Sequence, residues 1–178
     1  MRYGRDNEPV ARAAYKATMQ RNGHTHLHTL QSGFVVDLAN PWLGCSPDNV
    51  ICDPDSETTP GLAEYKCPAS AQEMTPTEAT ENLHNFCLHK VSDTQIALRK
   101  NHNYYYQVQG AMAVTRRSWC DFVVWTPRGI HIERIRADPD FRSQKMLPKL
   151  ERFYMNAILP ELASPRHPFI REPSTPLL

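Results

Sequence analysis

Long apolar runs are missing from this 178-residue chain. A membrane-spanning helix needs about 20 consecutive, mostly apolar residues, so no membrane partner is expected. No secretory leader is read either. Met1-Arg2-Tyr3-Gly4 passes straight into polar sequence, and an intracellular protein is expected. Bulk charge of one sign is lacking: 20 Lys and Arg stand against 19 Asp and Glu, a formal net charge of +1. Any grip on nucleic acid therefore has to come from local basic clusters. Paired cysteine spacing is lacking as well. The 5 cysteines, Cys45, Cys52, Cys67, Cys87 and Cys120, are odd in number and contain no C-x-x-C, so free reduced thiols are expected. His84, Cys87 and His89 are too few for a zinc site with four well-spaced ligands. No internal repeat is present.

What remains is enough for one domain with a real core. Residues 1–163 read as that domain, and the proline-rich end, 164–178, reads as a loose tail. Residues 7–20 predict a helix. Pro9 suits its first turn, Asp6 and Glu8 suit its positive end, and Val10, Ala13, Ala14 and Ala17 give a narrow face. His24, His26 and His28 alternate and read as a hairpin edge or loop rather than a metal-binding ribbon. Phe34-Val35-Val36 predict a buried strand, closed by Asn40-Pro41. Residues 42–52 predict a second strand interrupted at Pro47, which has no N–H to give to a ladder. The polar loop 53–60 then folds 61–67 back beside it. Residues 74–89 predict a helix capped by Thr75 or Thr77, with Glu78 and Glu81 near its start.

Residues 101–115 predict a helix whose apolar stripe is Tyr104, Val108, Ala111 and Val114 or Thr115. Gln107 borders that stripe, either bonded to backbone or reaching toward Lys66 or an attacked phosphate. Residues 119–125 and 130–135 predict two strands joined by the three-residue turn Pro127-Arg128-Gly129. Beyond Asp138-Pro139, Leu147, Leu150, Phe153 or Tyr154, Ala157 and Ile158 predict the core stripe of a helix that Pro148 starts or kinks. Helices around a mixed sheet follow, in the α/β (α+β) class.

The stretch Gly61-Leu62-Ala63-Glu64-Tyr65-Lys66-Cys67-Pro68 carries the chemistry. In a strand, Glu64 and Lys66 share one face while Ala63 and Tyr65 share the other. An isolated E-x-K is most often a solvated pair. Here the loop brings the Ser46-Pro47-Asp48 turn beside it, and a Gln-x-Gln helix follows. If Asp48 and Glu64 converge, they suit a hard divalent cation, Mg²⁺ or Mn²⁺, with the carbonyl of Tyr65 as a further ligand and Glu8 near a second ion. Such an ion lowers the pKa of a held water and draws charge from a phosphodiester. Lys66 would sit against that water or a phosphate oxygen. Ser46 of the turn, the pairs Arg99-Lys100 and Arg116-Arg117, and Lys145 are candidate phosphate contacts. Tyr104, Tyr105 and Tyr106 are candidates for stacking on bases.

Four blocks in this order resemble the YqaJ-type viral recombinase family, the lambda-exonuclease-like branch of the PD-(D/E)XK nuclease superfamily. They are Glu8-Pro9-Val10-Ala11-Arg12, Leu43-Gly44-Cys45-Ser46-Pro47-Asp48, Leu62-Ala63-Glu64-Tyr65-Lys66-Cys67-Pro68 and Tyr106-Gln107-Val108-Gln109. The resemblance spans about residues 2–135. It implies a restriction-endonuclease-like core and a Mg²⁺-dependent DNA exonuclease (Mn²⁺ substituting) that digests one strand of a duplex from a free end, 5′ to 3′, in recombination. It implies Asp48 and Glu64 as metal ligands, Lys66 as the catalytic lysine, Gln107 as its assistant and Glu8 as the family's helix glutamate. It also implies a strand-annealing protein as partner and a ring-shaped homotrimer as an assembly, and the block 119–126 resembles eukaryotic or mobile-element relatives, hence a nuclear setting. Asn49 stands where the family usually has glycine, and asparagine also tolerates a left-handed turn. Two other readings stay open on the same residues: a structure-specific or single-strand endonuclease, and a non-catalytic DNA-binding module.

Overall fold

Alternation along one six-residue strand decides the architecture. In the computed structural model, which describes residues 2–56 and 58–164, the chain runs α1 (Arg2–Arg21), β1 (His28–Gln31), β2 (Val35–Val36), β3 (Gly44–Cys45), β4 (Asn49–Cys52) and β5 (Gly61–Lys66). It continues with α2 (Pro76–Asn82), β6 (Leu88–Lys90), β7 (Ile96–Leu98), α3 (Asn103–Thr115), β8 (Trp119–Thr126) and β9 (Gly129–Arg136). Five strands form a sheet in the order β1-β4-β5-β8-β9, while β2-β3 and β6-β7 are separate ribbons. Only β5 and β8 pair in parallel, so the sheet is mixed as expected. Flanked on both sides, β5 is buried from Gly61 through Tyr65.

Its two faces receive different helices. Ala63 and Tyr65 join Ala11, Tyr15, Met19, Leu27, Ile51, Trp119 and Val123 in one core cluster. Glu64 and Phe122, partners across the parallel pair, point to the other face and meet α3 through Gln107 and Tyr104. A buried carboxylate sits inside the first face. Asp121 takes the Tyr15 hydroxyl at 2.7 Å and a forked pair from Arg134 at 2.7 and 2.9 Å, so its charge is matched.

Several expectations need correction. Helix α1 begins at Arg2, so Pro9 lies inside it rather than in its first turn. Its buried face is Ala11, Tyr15 and Met19, not the stripe through Val10, Ala13 and Ala17, all of which are exposed. Tyr15 and Met19 fill space over the sheet that alanines leave empty. Phe34-Val35-Val36 does supply a strand, but a two-residue one in a ribbon, with Phe34 and Val36 exposed. Helix α2 ends at Asn82, not near 89: Asn85 turns left-handed (φ 57°) and Leu88 opens β6. Its start is as read, with Thr75 and Glu78 closing a reciprocal cap. Thr126 pairs with Gly129, so the last hairpin turns on two residues, not three. Asn49 is an extended strand residue whose amide donates to the Leu30 carbonyl at 2.8 Å, so no left-handed turn occurs there.

The described residues divide into two compact units, one ending at Pro139 and the other beginning at Asp140. The second is a helical run in which π segments at Arg142–Met146 and Tyr154–Ile158 alternate with α segments at Leu147–Phe153 and Leu159–Ala163. Pro148 and Pro160 open the two α segments, and each preceding N–H reaches back five residues. A proline ring crowds the carbonyl four residues earlier, and a π turn relieves that crowding. The expected core stripe is not buried: Leu150, Phe153 and Ile158 are exposed, and Met146 is the buried residue of the run. All but one residue of the expected tail 164–178 lie outside the described residues. The 5 cysteines are unpaired.

Gly61 shows how closely β5 is packed. A methyl group there would lie 2.2 Å from the Trp119 ring, which is fully buried and has Arg134 stacked 3.7 Å from its centroid. Gly33 has open space around its Cα. Gly61→Ala is expected to lower stability by about 1–3 kcal/mol through overpacking, while Gly33→Ala changes it little. Equal urea midpoints for the two variants would contradict this packing.

Candidate active site

The site forms where β4 breaks. The β4–β5 register pairs Asn49 with Ala63, and one more step sets Asp48 opposite Glu64. The ladder stops there, next to Pro47, which has no N–H. What proline removes is a donor, and where the strand breaks the Asp48 side chain, not a β4 carbonyl, accepts the Tyr65 N–H at Oδ2, 2.8 Å away. One carboxylate oxygen is thereby fixed to the backbone of the strand that carries Glu64 and Lys66.

Glu64 is 4% exposed. Lys66 Nζ and Gln107 Nε2 both donate to its Oε1, at 2.6 and 2.5 Å, which leaves Oε2 with neither. Gln107 therefore reaches Glu64, not Lys66 or a backbone group. The second glutamine of the Gln-x-Gln pair does a different job. Buried Gln109 donates to the Arg136 carbonyl and accepts from the Asp138 N–H, so it ties α3 to the end of β9. Lys66 lies over the Tyr104 ring, 4.6 Å from its centroid, and Tyr104 packs in turn on Phe122 and His102. Tyr104 was read as core stripe; its place beside the lysine left no mark in the helical spacing. The Lys66 ammonium is thus held by a carboxylate on one side and a ring face on the other.

Glu8 faces the same cleft, which encloses about 640 Å³ between the start of α1, Asp48, the end of β5 and Tyr104. Arg12 pairs with it at 3.0 Å, one helical turn on, a partner that the four-residue spacing made available in the sequence. Among the described residues, no lysine, arginine or histidine makes an ion pair with Asp48. Burial raises the Asp48 pKa, the Tyr65 N–H pulls it down and the Glu8 charge raises it again, with a net rise. Burial, opposed by Lys66 and reinforced by Asp48, lifts Glu64 to about 7. Burial and the charges of Glu8 and Asp48 push the Cys67 thiol up to about 11, which keeps it protonated at neutral pH. The ligand atoms of Glu8, Asp48 and Glu64 do not all come within 4.8 Å of one another. The donors are nonetheless hard oxygens, the half-buried Asp48 carboxylate has no ion-pair partner among the described residues, and a divalent cation relieves that imbalance.

The candidate phosphate contacts are less gathered. Arg99 spends its Nε on the Phe86 carbonyl and lines a second cavity of about 700 Å³ with His84, Asn101 and His102, before the start of α3. Lys100 is exposed beside it, and Ser46 is exposed in the turn. Arg116 and Arg117 follow the far end of the 13-residue α3, roughly 20 Å away along its axis. Arg116 is left-handed (φ 56°) and ends the helix. Lys145 belongs to the helical run beyond Asp140. Tyr105 is buried and unavailable to bases.

A restriction-endonuclease-like fold that brings an Asp of a P-D turn beside an E-x-K strand defines the class. The chain belongs to the YqaJ-like viral recombinase domain family, whose profile matches residues 1–118. Among solved structures it is similar to an alkaline exonuclease (LHK-Exo) from Laribacter hongkongensis, alone and in complex with dAMP. Each is 24% identical with a TM-score of 0.58 over 91% of this chain, and 75% and 74% of those chains are covered. No match was found among curated proteins. Among the described residues, no helix is long and apolar enough to cross a membrane.

The lifted Glu64 carboxyl has a consequence for stability. Its folded pKa, about 7, exceeds the free-chain value of 4.5, so the folded state holds the proton more tightly. The stability tied to that proton is present below about pH 4.5 and is lost as pH rises through 7. In the absence of divalent ions, the wild type is expected to lose about 1–3 kcal/mol relative to Glu64→Gln between pH 5 and pH 8. Thermal melts of both proteins across that range check this. A difference between them that does not change with pH would count against a desolvated carboxyl.

Proposed function

We propose that this protein is a metal-dependent deoxyribonuclease that digests one strand of duplex DNA from a free end, 5′ to 3′, in recombination. The observation that carries it is the convergence of Lys66 and Gln107 on one oxygen of Glu64 beside a backbone-anchored Asp48. Family membership supports the recombination setting. Mg²⁺, or Mn²⁺ in its place, is the cofactor of this reading. Asp48 Oδ1, Glu64 Oε2 and the Tyr65 carbonyl are the groups that would hold it, and Glu8 is the group nearest a second ion. When present, the ion supplies Lewis-acid polarisation of the phosphate and an acidified water.

The chain's own residues do the rest. Lys66, fixed between Glu64 and Tyr104, presents an ammonium to a phosphate oxygen or to the attacking water. Gln107 shares Glu64 Oε1 with Lys66 and so helps fix the carboxylate that holds the lysine. Hydrolysis then joins the water oxygen to phosphorus as the P–O bond to the leaving group breaks. Asp48 and Glu8 line the cleft with Lys66, and a bound cation would offset their charge toward an anionic substrate. We take the nuclease domain to run through residue 163, with the exposed Lys100 and Ser46 as phosphate contacts. A strand-annealing protein and a homotrimer are the partners that the family resemblance suggests.

Lys66→Ala is expected to slow Mg²⁺-dependent digestion of a 5′-phosphorylated linear duplex by on the order of 10²–10⁴-fold, the usual yield of one positioned proton-handling or electrostatic group. Equal rates would reject the reading. The same assay on a nick-free covalently closed circle separates end-dependent from internal cleavage. An intact circle is expected, and its linearisation would point to an endonuclease.

A further inference from the structure

At the opposite end of β4 from Asp48, roughly 15 Å along the strand, a second set of chemistry-bearing side chains comes together. His24 lies in the turn between α1 and β1, and Asp53 and Asp55 lie in the loop between β4 and β5. One ligand atom from each lies within 4.8 Å of the others.

Asp53 is fully buried, and its Oδ1 has no hydrogen-bond partner. Its Oδ2 accepts from the Ser56 hydroxyl. His24 Nδ1 stands at ion-pair distance, 2.9 Å, from that same Oδ2, but the geometry falls short of a well-aligned hydrogen bond for this buried nitrogen. A carboxylate oxygen buried with no partner costs about 1–3 kcal/mol or more. The nearby cation does not remove that cost. Arg134 gives Nε and one terminal nitrogen to Asp121, gives the other to Ser56, and passes Asp53 Oδ2 at 3.6 Å. One guanidinium is thus shared between Asp121 and Asp53, while Asp55 joins Asp53 beside the imidazole. Burial opposes the Asp53 charge, yet the Ser56 hydroxyl, His24 and Arg134 hold its pKa below the usual value. It is an anion at neutral pH.

We propose that His24, Asp53 and Asp55 form a second metal site, separate from the cleft, that takes a borderline transition-metal ion of the Zn²⁺ class. One imidazole nitrogen with two carboxylate oxygens suits such an ion, whereas Mg²⁺ and Ca²⁺ favour all-oxygen shells. The ion satisfies Asp53 Oδ1 and uses the His24 lone pair, and it clips the α1–β1 turn to the β4–β5 loop. Water completes the shell, since three protein ligands leave the fourth position open, and the ion serves to tie the two segments together. The proposal does not rest on the nuclease reading.

The test is calorimetric titration of the full chain with Zn²⁺ in an Asp48→Asn/Glu64→Gln background, which disables the cleft. About one equivalent of Zn²⁺ is expected to bind, to raise the melting temperature, and to resist displacement by millimolar Mg²⁺. His24→Ala and Asp55→Ala, tested separately in that background, are each expected to weaken Zn²⁺ binding by about 10-fold or more. Asp55 is exposed and has no part in holding the buried Asp53 charge, so the metal-free melting temperature of Asp55→Ala should stay near the parent's, which separates loss of a ligand from loss of the fold. Zn²⁺ binding that neither substitution weakens, no binding in the background protein, or full displacement by Mg²⁺ would each overturn the proposal.

Discussion

The candidate site depends on one substitution of partners: a side-chain carboxylate accepts a hydrogen bond that a strand backbone would otherwise accept. Tyr65 offers its N–H toward β4, but β4 has already broken at Pro47, and Asp48 Oδ2 takes the bond instead. This ties the aspartate to the strand whose neighbouring residues are Glu64 and Lys66. The two acids are 16 positions apart in sequence, yet no flexible element separates them at this point. Proline favours the break by removing a donor from the ladder, and the break lets the aspartate side chain reach the Tyr65 N–H.

Around that anchor the electrostatics are deliberately unfinished. Glu64 has its own cation in Lys66 and an amide from Gln107, both on Oε1. Glu8 has Arg12. Asp48 has an N–H and no ion pair among the described residues, with Lys66 and Arg12 acting on it only through their charge. Burial of these acids raises two of their pKa values, which measures how far the protein alone falls short of stabilising the charges. α3 supplies both groups that restrain the lysine and the glutamate, Tyr104 and Gln107, from one turn of one helix. The arrangement is stiff where it touches Oε1 and open at Oε2.

The sequence made the strand pair and its acids legible because their signals are local. Period-two alternation puts Glu64 and Lys66 on one face, proline marks the break, and a polar loop marks the return. The helices were legible in place but less so in orientation. In α1 the counting of small residues pointed to Ala13 and Ala17, while the sheet instead receives Tyr15 and Met19; three-dimensional fit overrode periodicity. The same limit hid Asp121, a charge inside an apolar-looking strand, since its partners Tyr15 and Arg134 are 106 and 13 residues away. His24 was read as an exposed loop imidazole for the same reason, because Asp53 meets it only after β1 and β4 pair. The apolar stripe of the helical run was legible as a stripe but not as exposed surface. A period tells which residues share a face and is silent on whether anything covers it.

Both ends of β4 now have the same logic. The strand is only four residues long, and proline adjoins it on either side, one residue before Asp48 and one residue after Asp53. At each end the chain leaves the ladder and an aspartate stays behind at the exit. One oxygen of each is engaged locally, Asp48 Oδ2 by a backbone N–H and Asp53 Oδ2 by a hydroxyl. An acid in mid-strand shares the fixed spacing of the ladder and has neighbours on every side. An acid at an exit has its backbone held by the sheet and half of its carboxylate left over. That combination, a rigid stem with an unspent oxygen, is what a divalent cation selects, and a short strand ended twice by proline produces it twice.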